Sequence, residues 1–287
     1  MTMWTMRQAL FCLVGSTLAT LCCSMGGYWM WSHHRQHRLT DEQYRATAIL
    51  QTGPEKEALR SAYLAELLGL STDHPLSLYA INPKKAEEKL LASPLIASAK
   101  VKRMPPSTLY VDYEVRKPIA WLCDYKNIAI DRTGHLFPVA PFFSPKNLPE
   151  IYLGLSAFTN WQIPSTNPSL QLAFEILACL AESPWKEGLR IKRLDVSNAF
   201  AQSLGLREVV LFTEEELILS HGVVCVFPKI LRLSPKDYAQ QLSNFFALRR
   251  TMMDDYRRQL SSVKQGGRFA PRIIDLRIPQ LAFVERG

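Results

Sequence analysis

Catalytic fingerprints are missing from this 287-residue sequence: there is no GxSxG elbow, no HExxH pair, no phosphate loop and no dinucleotide motif. Histidine is scarce at six, and His74, His135 and His221 are far apart, so the chain offers no evident nucleophile–base constellation. None of the six cysteines has the CxxC spacing of a metal site, and their scatter is not that of a disulfide framework. Repeats and low-complexity tracts are absent too. Charged residues at 21%, with 13 Gly and 18 Pro, exclude a disordered, collagen-like or coiled-coil chain. The excess of Lys and Arg over Asp and Glu, 34 against 26, gives a net charge of +8. These basic residues are dispersed, without the aromatic-interleaved patch that nucleic-acid binding requires. No cofactor and no metal site is expected.

One absence is local. Residues 9–31 carry no charge, and 16 of these 23 are apolar. As a helix they would span ~35 Å, enough for a hydrocarbon core of ~30 Å. Trp4 near one end, and Tyr28, Trp29 and Trp31 at the other, stand where interfacial aromatics belong. A cleaved signal peptide has a shorter apolar region and a small-x-small cleavage site, whereas Cys22-Cys23-Ser24 is a poor one. The reading is a tail at 1–8, a single transmembrane helix at 9–31 and a juxtamembrane linker at 32–45. Charge counting does not fix orientation: Arg7 precedes the segment, Arg35, Arg38 and Arg45 follow it, and the tail is too short for a fair count. Cys12, Cys22 and Cys23 lie in the segment. Cys123, Cys179 and Cys225 read as small buried hydrophobes. His33, His34 and His37 read as interfacial rather than metal-binding.

The remainder has an α+β pattern. A strand over Ala46–Gly53 precedes a helix from Glu55 to Leu70, with Leu59, Tyr63, Leu67 and Leu70 at helical spacing. Asn82-Pro83 opens a second helix ending near Ala92. A hairpin follows over 96–103 and 108–116, with Leu109, Val111, Tyr113 and Val115 on one face. This β-α-α-β-β order defines a small domain at 46–117. Residues 118–287 read as a second domain on a mostly antiparallel sheet. Its strands are expected near Ile119–Tyr125, Asn127–Asp131, His135–Val139, Glu150–Leu153, Ile191–Val196, Glu208–Thr213, Glu216–Ser220 and Val223–Phe227, with a last pair beginning at Ile273. Helices are expected at Ser169–Ser183 and from Ser234-Pro235 to about Gln259. Glu214-Glu215-Glu216 and His221-Gly222 read as turns.

Residues 82–121 resemble the POTRA domain of the FtsQ/DivIB division proteins. The carriers are Pro94, Ile96, Ala99, Val101, Arg103, Pro106, Thr108, Leu109, Val111, Arg116, Pro118 and Ala120. Asp131–Phe137, Leu148–Tyr152 and Ile273–Val284 are similar to the family's later "D..G..F", "LP.L" and closing "VDLRY..G.AV" steps, with Ile278 replacing the aromatic and Leu281 the glycine. The resemblance implies a non-enzymatic, single-pass protein of the cytoplasmic (inner) membrane at the division septum, with its N-terminus cytoplasmic and its body periplasmic or extracytoplasmic. It implies FtsB/FtsL-like bitopic partners, the FtsW/FtsI-type septal synthase complex beyond them, and a part in regulating septal peptidoglycan synthesis.

A docking strand must present an unpaired edge, and Pro279, which has no N–H to donate, argues for an edge in the last strand. Candidate partner-binding residues are Arg277, Ile278, Gln280 and those onward to Glu285, including Ala282 and Val284. Arg277 is expected to meet a partner carboxylate. The competing reading makes Ile274, Leu276 and Ile278 the core face of the strand. In the helix at 235–259, Tyr238, Leu242, Phe245, Phe246 and Leu248 point inward. Arg249, Arg250, Arg257 and Arg258 form a mainly outward basic face, of which Arg250 and Arg257 are supporting contact candidates. The alternatives are a POTRA-containing envelope assembly or transport protein, disfavoured because two sizeable helices replace the many strands of a barrel, and an envelope hydrolase of unrecognised type.

Overall fold

A computed structural model describes residues 6–285, apart from 72, 74, 159, 164–165, 183–188, 219–223 and 261–265, and all their side chains except those of 6–10, 12 and 259. Trp4, His74 and the turn expected at His221-Gly222 lie outside the described residues. The chain divides into two units, Met1–Val115 and Arg116–Gly287.

In the first unit, helix α1 (Met6–Thr40) runs unbroken through the uncharged segment and most of the expected linker. Among the described residues no helix is long and apolar enough to cross a membrane, so the expected span over 9–31 is not met within them. That segment draws on Ala9, Leu10 and Cys12, whose side chains lie outside the described set.

The three-stranded sheet that follows has the order β1 (Ala48–Thr52), β3 (Thr108–Val115), β2 (Ile96–Met104), with β1 parallel and β2 antiparallel to the central strand. Helices α2 (Ser61–Leu68) and α3 (Pro83–Leu91) complete the β-α-α-β-β order. Local chemistry sets their limits. The Asn82 side chain accepts from the Lys84 N–H at 3.0 Å while Pro83 needs no donor at the first turn. Gly69, at φ 70°, ends α2 in the left-handed conformation glycine tolerates best. The core comprises Leu64 and Leu68 of α2, Ala86 and Leu90 of α3, and the expected stripe of β3. The α2 face differs from the expected one. The helix begins at Ser61 rather than Glu55, and Leu64 and Leu68 are its most buried residues while Tyr63 and Leu67 are half-buried.

The second unit is built on one mixed sheet. Its path is β13 (Phe283–Glu285), β12 (Arg272–Asp275), β10 (Val224–Leu233), β9 (Val209–Ile218), β8 (Leu189–Asp195), β7 (Glu150–Tyr152), β4 (Ala120–Leu122), β5 (Ile128–Ile130), β6 (Leu136–Pro138), with β11 (Gly267–Arg268) also on β10. The pairs β4–β7, β7–β8, β10–β11 and β10–β12 are parallel, so the antiparallel majority is narrower than expected. Helices α4 (Pro168–Glu182) and α5 (Tyr238–Leu260) supply Leu170, Ala173, Ile176, Leu242, Phe245 and Tyr256 to a continuous apolar core with the sheet. Pro228 lies inside β10 between the stretch paired with β11 (Cys225, Val226) and the stretch paired with β12 (from Lys229), where a missing N–H interrupts no ladder bond on that side.

The turn between β5 and β6 explains the Asp131–Phe137 motif physically. Asp131 Oδ1 accepts from the Thr133 N–H at 2.8 Å and the His135 N–H at 3.0 Å, and Oδ2 accepts from Arg116 at 2.8 Å. Gly134, at φ 82°, has no room for a Cβ, which would come within 2.8 Å of the Ile163 carbonyl oxygen. Burial works against the Asp131 carboxylate, but these donors, with the Thr133 hydroxyl, outweigh it and hold its pKa below the ordinary 3.8.

The expected turn at Glu214-Glu215-Glu216 is a correction. All three lie inside β9, which continues unbroken from Val209 to Ile218. Strand alternation places Glu215 on the core face with Val209, Leu211, Thr213 and Leu217, where it is 1% exposed. There it pairs with Lys229 of β10, also 1% exposed, and with Arg249 of α5. Arg249 therefore does not belong to an outward basic face. A buried carboxylate tolerates this position only because two cations meet it.

Candidate partner-binding edge

The C-terminal edge is assembled from the last two strands and the turn between them. Strand β12 inserts beside β10, burying Ile274, while Leu276 closes the core just beyond it. Residues 276–282 then reverse the chain, and Gln280 takes a φ of 63°. Pro279 lies in this turn rather than in a strand, so its missing N–H marks the reversal and not the edge. Strand β13 returns antiparallel, with Phe283 opposite Asp275, Val284 opposite Ile274 and Glu285 opposite Ile273. It ends the sheet: among the described residues nothing pairs with its other side.

Beside this edge the surface is apolar. Ile278 is 62% exposed, Leu281 65%, Phe283 70% and Val284 36%, while Gln280, Ala282 and Glu285 are also exposed. Leu276 alone of the turn's large apolar residues turns inward. A cleft of about 650 Å³ runs between the turn and the first turns of α5, with Ile278 and Leu281 on one side and Gln240 and Asn244 on the other. The edge thus combines unpaired backbone, exposed apolar side chains and nearby amides, the groups an added strand uses. Of the two readings of the closing motif, Ile274 and Leu276 belong to the core and Ile278 to the surface.

Arg277 sits at the start of the turn in a network of the chain's own charges. Its Nε and Nη2 donate to Asp275 at 3.0 and 2.7 Å, and Nη1 lies 3.2 Å from Glu208. Arg232 reaches the same Glu208 at 2.6 Å. Burial opposes the charge on Asp275, but the Arg277 hydrogen bonds outweigh it and hold the carboxyl below its ordinary 3.8. The network fixes the point where β12 leaves the core, and a quarter of the Arg277 side chain stays exposed.

The α5 candidates lie elsewhere in the unit. Arg250 is exposed, and Arg257 is exposed and pairs with Asp254 three residues before it at 3.2 Å. Leu281 and Phe283 carry more exposed apolar surface than the polar candidates, and the signal for them in the sequence was a run of apolar residues after a proline. Among the described residues no group of three or more His, Cys, Asp or Glu side chains is placed to hold a metal ion. The Cys123 thiol is pushed up to about 11, first by burial and then by its hydrogen bond to Glu150, which makes it a poor nucleophile at neutral pH.

Residues 56–112, spanning α2, α3 and most of the β2–β3 hairpin, match the family model of the POTRA domain, FtsQ-type. Comparison with curated proteins gives no match.

Proposed function

We propose that this chain, which carries a POTRA domain of the FtsQ type, is a non-enzymatic bitopic division protein that docks other membrane proteins on its β13 edge. Helix α1 anchors it in the cytoplasmic (inner) membrane through the uncharged segment at 9–31, leaving the N-terminal side cytoplasmic and an extracytoplasmic body at the septum. Its partners are FtsB/FtsL-like bitopic proteins. Through them it reaches the FtsW/FtsI-type synthase and regulates septal peptidoglycan synthesis.

The observation that carries this reading is the open edge of β13 with Phe283, Leu281 and Ile278 exposed beside it. Strand addition there supplies backbone affinity, and the apolar side chains supply selectivity. Arg277 orients the turn and offers its exposed remainder to a partner carboxylate, while Arg250 and Arg257 are secondary contacts. The choice of variant matters for the test. Truncation before Ile273 would remove Ile274 and Leu276 from the core and destabilise the whole sheet. Truncation after Ala282 removes only β13. When the anchored chain is affinity-purified from membranes, the full-length form is expected to bring down small bitopic coiled-coil partners and the shortened form to lose them. Equal recovery by both would move the interface elsewhere.

A further inference from the structure

The first unit holds a cationic cleft that the docking reading does not use. Just beyond the uncharged segment, α1 presents Trp31, His34, Arg35 and Arg38 along one stripe, at the three- and four-residue spacings that bring helical side chains together. The segment around Ser77 is tied beside this stripe. The Ser77 hydroxyl donates to the Arg38 carbonyl at 3.0 Å, and the Leu78 N–H donates to the Tyr44 carbonyl at 2.7 Å. This brings Tyr79, and Arg103 of β2, against the helix, and together they enclose a cleft of about 630 Å³.

Its chemistry is one-sided. Three guanidinium groups line it and no carboxylate does. Arg35 lies over the Trp31 ring at 5.5 Å, and Arg38 and Arg103 lie over the same Tyr79 ring at 5.2 and 5.9 Å. Tyr44 packs edge-on against Tyr79 and holds it in place. The Ile81 carbonyl accepts from Arg103 Nε at 3.0 Å and Nη2 at 2.6 Å, which fixes that guanidinium without neutralising it. Of the acids nearest along the chain, Asp41 accepts from the Gln43 N–H at 3.0 Å and Glu42 pairs with Arg45 at 3.0 Å. Like charges gathered on shared aromatic rings call for an anion between them, and guanidinium forks match phosphate oxygens.

Position decides the source of that phosphate. If α1 spans the bilayer as proposed above, Arg35 and Arg38 stand roughly 6–11 Å along the helix beyond Trp31, the last residue of the uncharged segment, at headgroup depth. The cleft's other end is apolar, with Met30 beside Gly27, where no atom lies near a would-be Cβ and an acyl chain has a path along the helix. We infer that this cleft binds the phosphate headgroup of an anionic phospholipid, with Arg35, Arg38 and Arg103 as phosphate ligands and Trp31 and Tyr79 as the platforms that hold them. The inference rests on the anchor reading, and the two are separable by experiment.

The full-length chain is reconstituted in bilayers of mixed phosphatidylglycerol and phosphatidylcholine, extracted gently, and its retained lipid measured by native mass spectrometry. Wild type is expected to retain phosphatidylglycerol over phosphatidylcholine by about tenfold or more. The Arg38→Gln/Arg103→Gln variant is expected to fall to near parity while keeping a single cooperative thermal unfolding transition. Wild type without headgroup preference, or a double variant that keeps it, overturns the assignment. Tight binding of inorganic phosphate by the detergent-solubilised chain, combined with no lipid preference, would also overturn it in favour of a soluble anion. Vesicle flotation reads the anchor separately: failure to float refutes the membrane reading itself, whereas flotation without lipid preference refutes only the cleft.

Discussion

The two units manage charge in opposite ways. In the first, the described charges sit at the surface, and the small sheet packs a plain apolar stripe of Leu109, Val111, Tyr113 and Val115 against two capped helices. In the second, Glu215 and Lys229 are buried against each other in the sheet itself, where burial pushes the Lys229 pKa down to about 7, and Arg249 closes from α5. A further network of Glu208, Arg232, Asp275 and Arg277 pins the strand that leads to the open edge. The small sheet of the first unit is held by apolar packing. In the second unit the last core strand, which leads to the proposed docking edge, is tied down by charged groups as well.

Removing one member of the buried triad should break this contrast most severely. Glu215→Leu leaves two cations without their anion inside the second unit and is expected to cost about 3–5 kcal/mol. Urea unfolding followed by probes in each unit should show the second unit's transition move while the first stays. Loss in the first unit, or none in either, would mean that the triad does not support the sheet.

Acid sharpens the contrast next. Asp131 and Asp275 have folded pKa values below the ordinary 3.8, so their stabilisation is fully present above that pH and is lost as pH falls through the folded values. The second unit should therefore weaken steeply below about pH 4, and Asp131→Asn, which also removes the charge-assisted bond from Arg116, should flatten part of that dependence. A pH series of melting temperatures for wild type and variant checks this.

A smaller effect is expected in the first unit. Asn82→Ala removes the side chain that accepts the first amide hydrogens of α3 and should cost about 1 kcal/mol. Thermal unfolding measures it, and no change would mean that the cap is replaced by water.

The same contrast governs what could be read from the amino-acid order. Asn82-Pro83, the alternation of β3 and the turn at Gly134 are local devices, and each stands where its residues demand. Glu214-Glu215-Glu216 looked like a turn because three adjacent charges are unfavourable in a buried strand. Only the arrival of Lys229 and Arg249, distant in sequence, makes the strand tolerable. Pro279 pointed to the right region for the wrong reason, since it shapes the turn before β13. At the candidate edge the segment was legible, but the sorting of Leu276 inward and Ile278 outward depends on where β10 receives β12. The cleft of Arg35, Arg38 and Arg103 was not legible, because Tyr79 reaches α1 through tertiary contacts alone.

Docking on the β13 edge is tested most directly by the variant expected to disturb folding least. Phe283→Asp alters a surface side chain and should change stability by less than about 0.5 kcal/mol. Affinity for the extracytoplasmic segment of the proposed FtsB-like partner would be measured for wild type, Phe283→Asp and Phe200→Asp, the last replacing a 52% exposed aromatic just beyond β8, four strands from β13 along the sheet. Phe283→Asp is expected to lose about thirtyfold in affinity and Phe200→Asp to bind nearly as wild type. Wild-type affinity in Phe283→Asp would contradict docking on this edge.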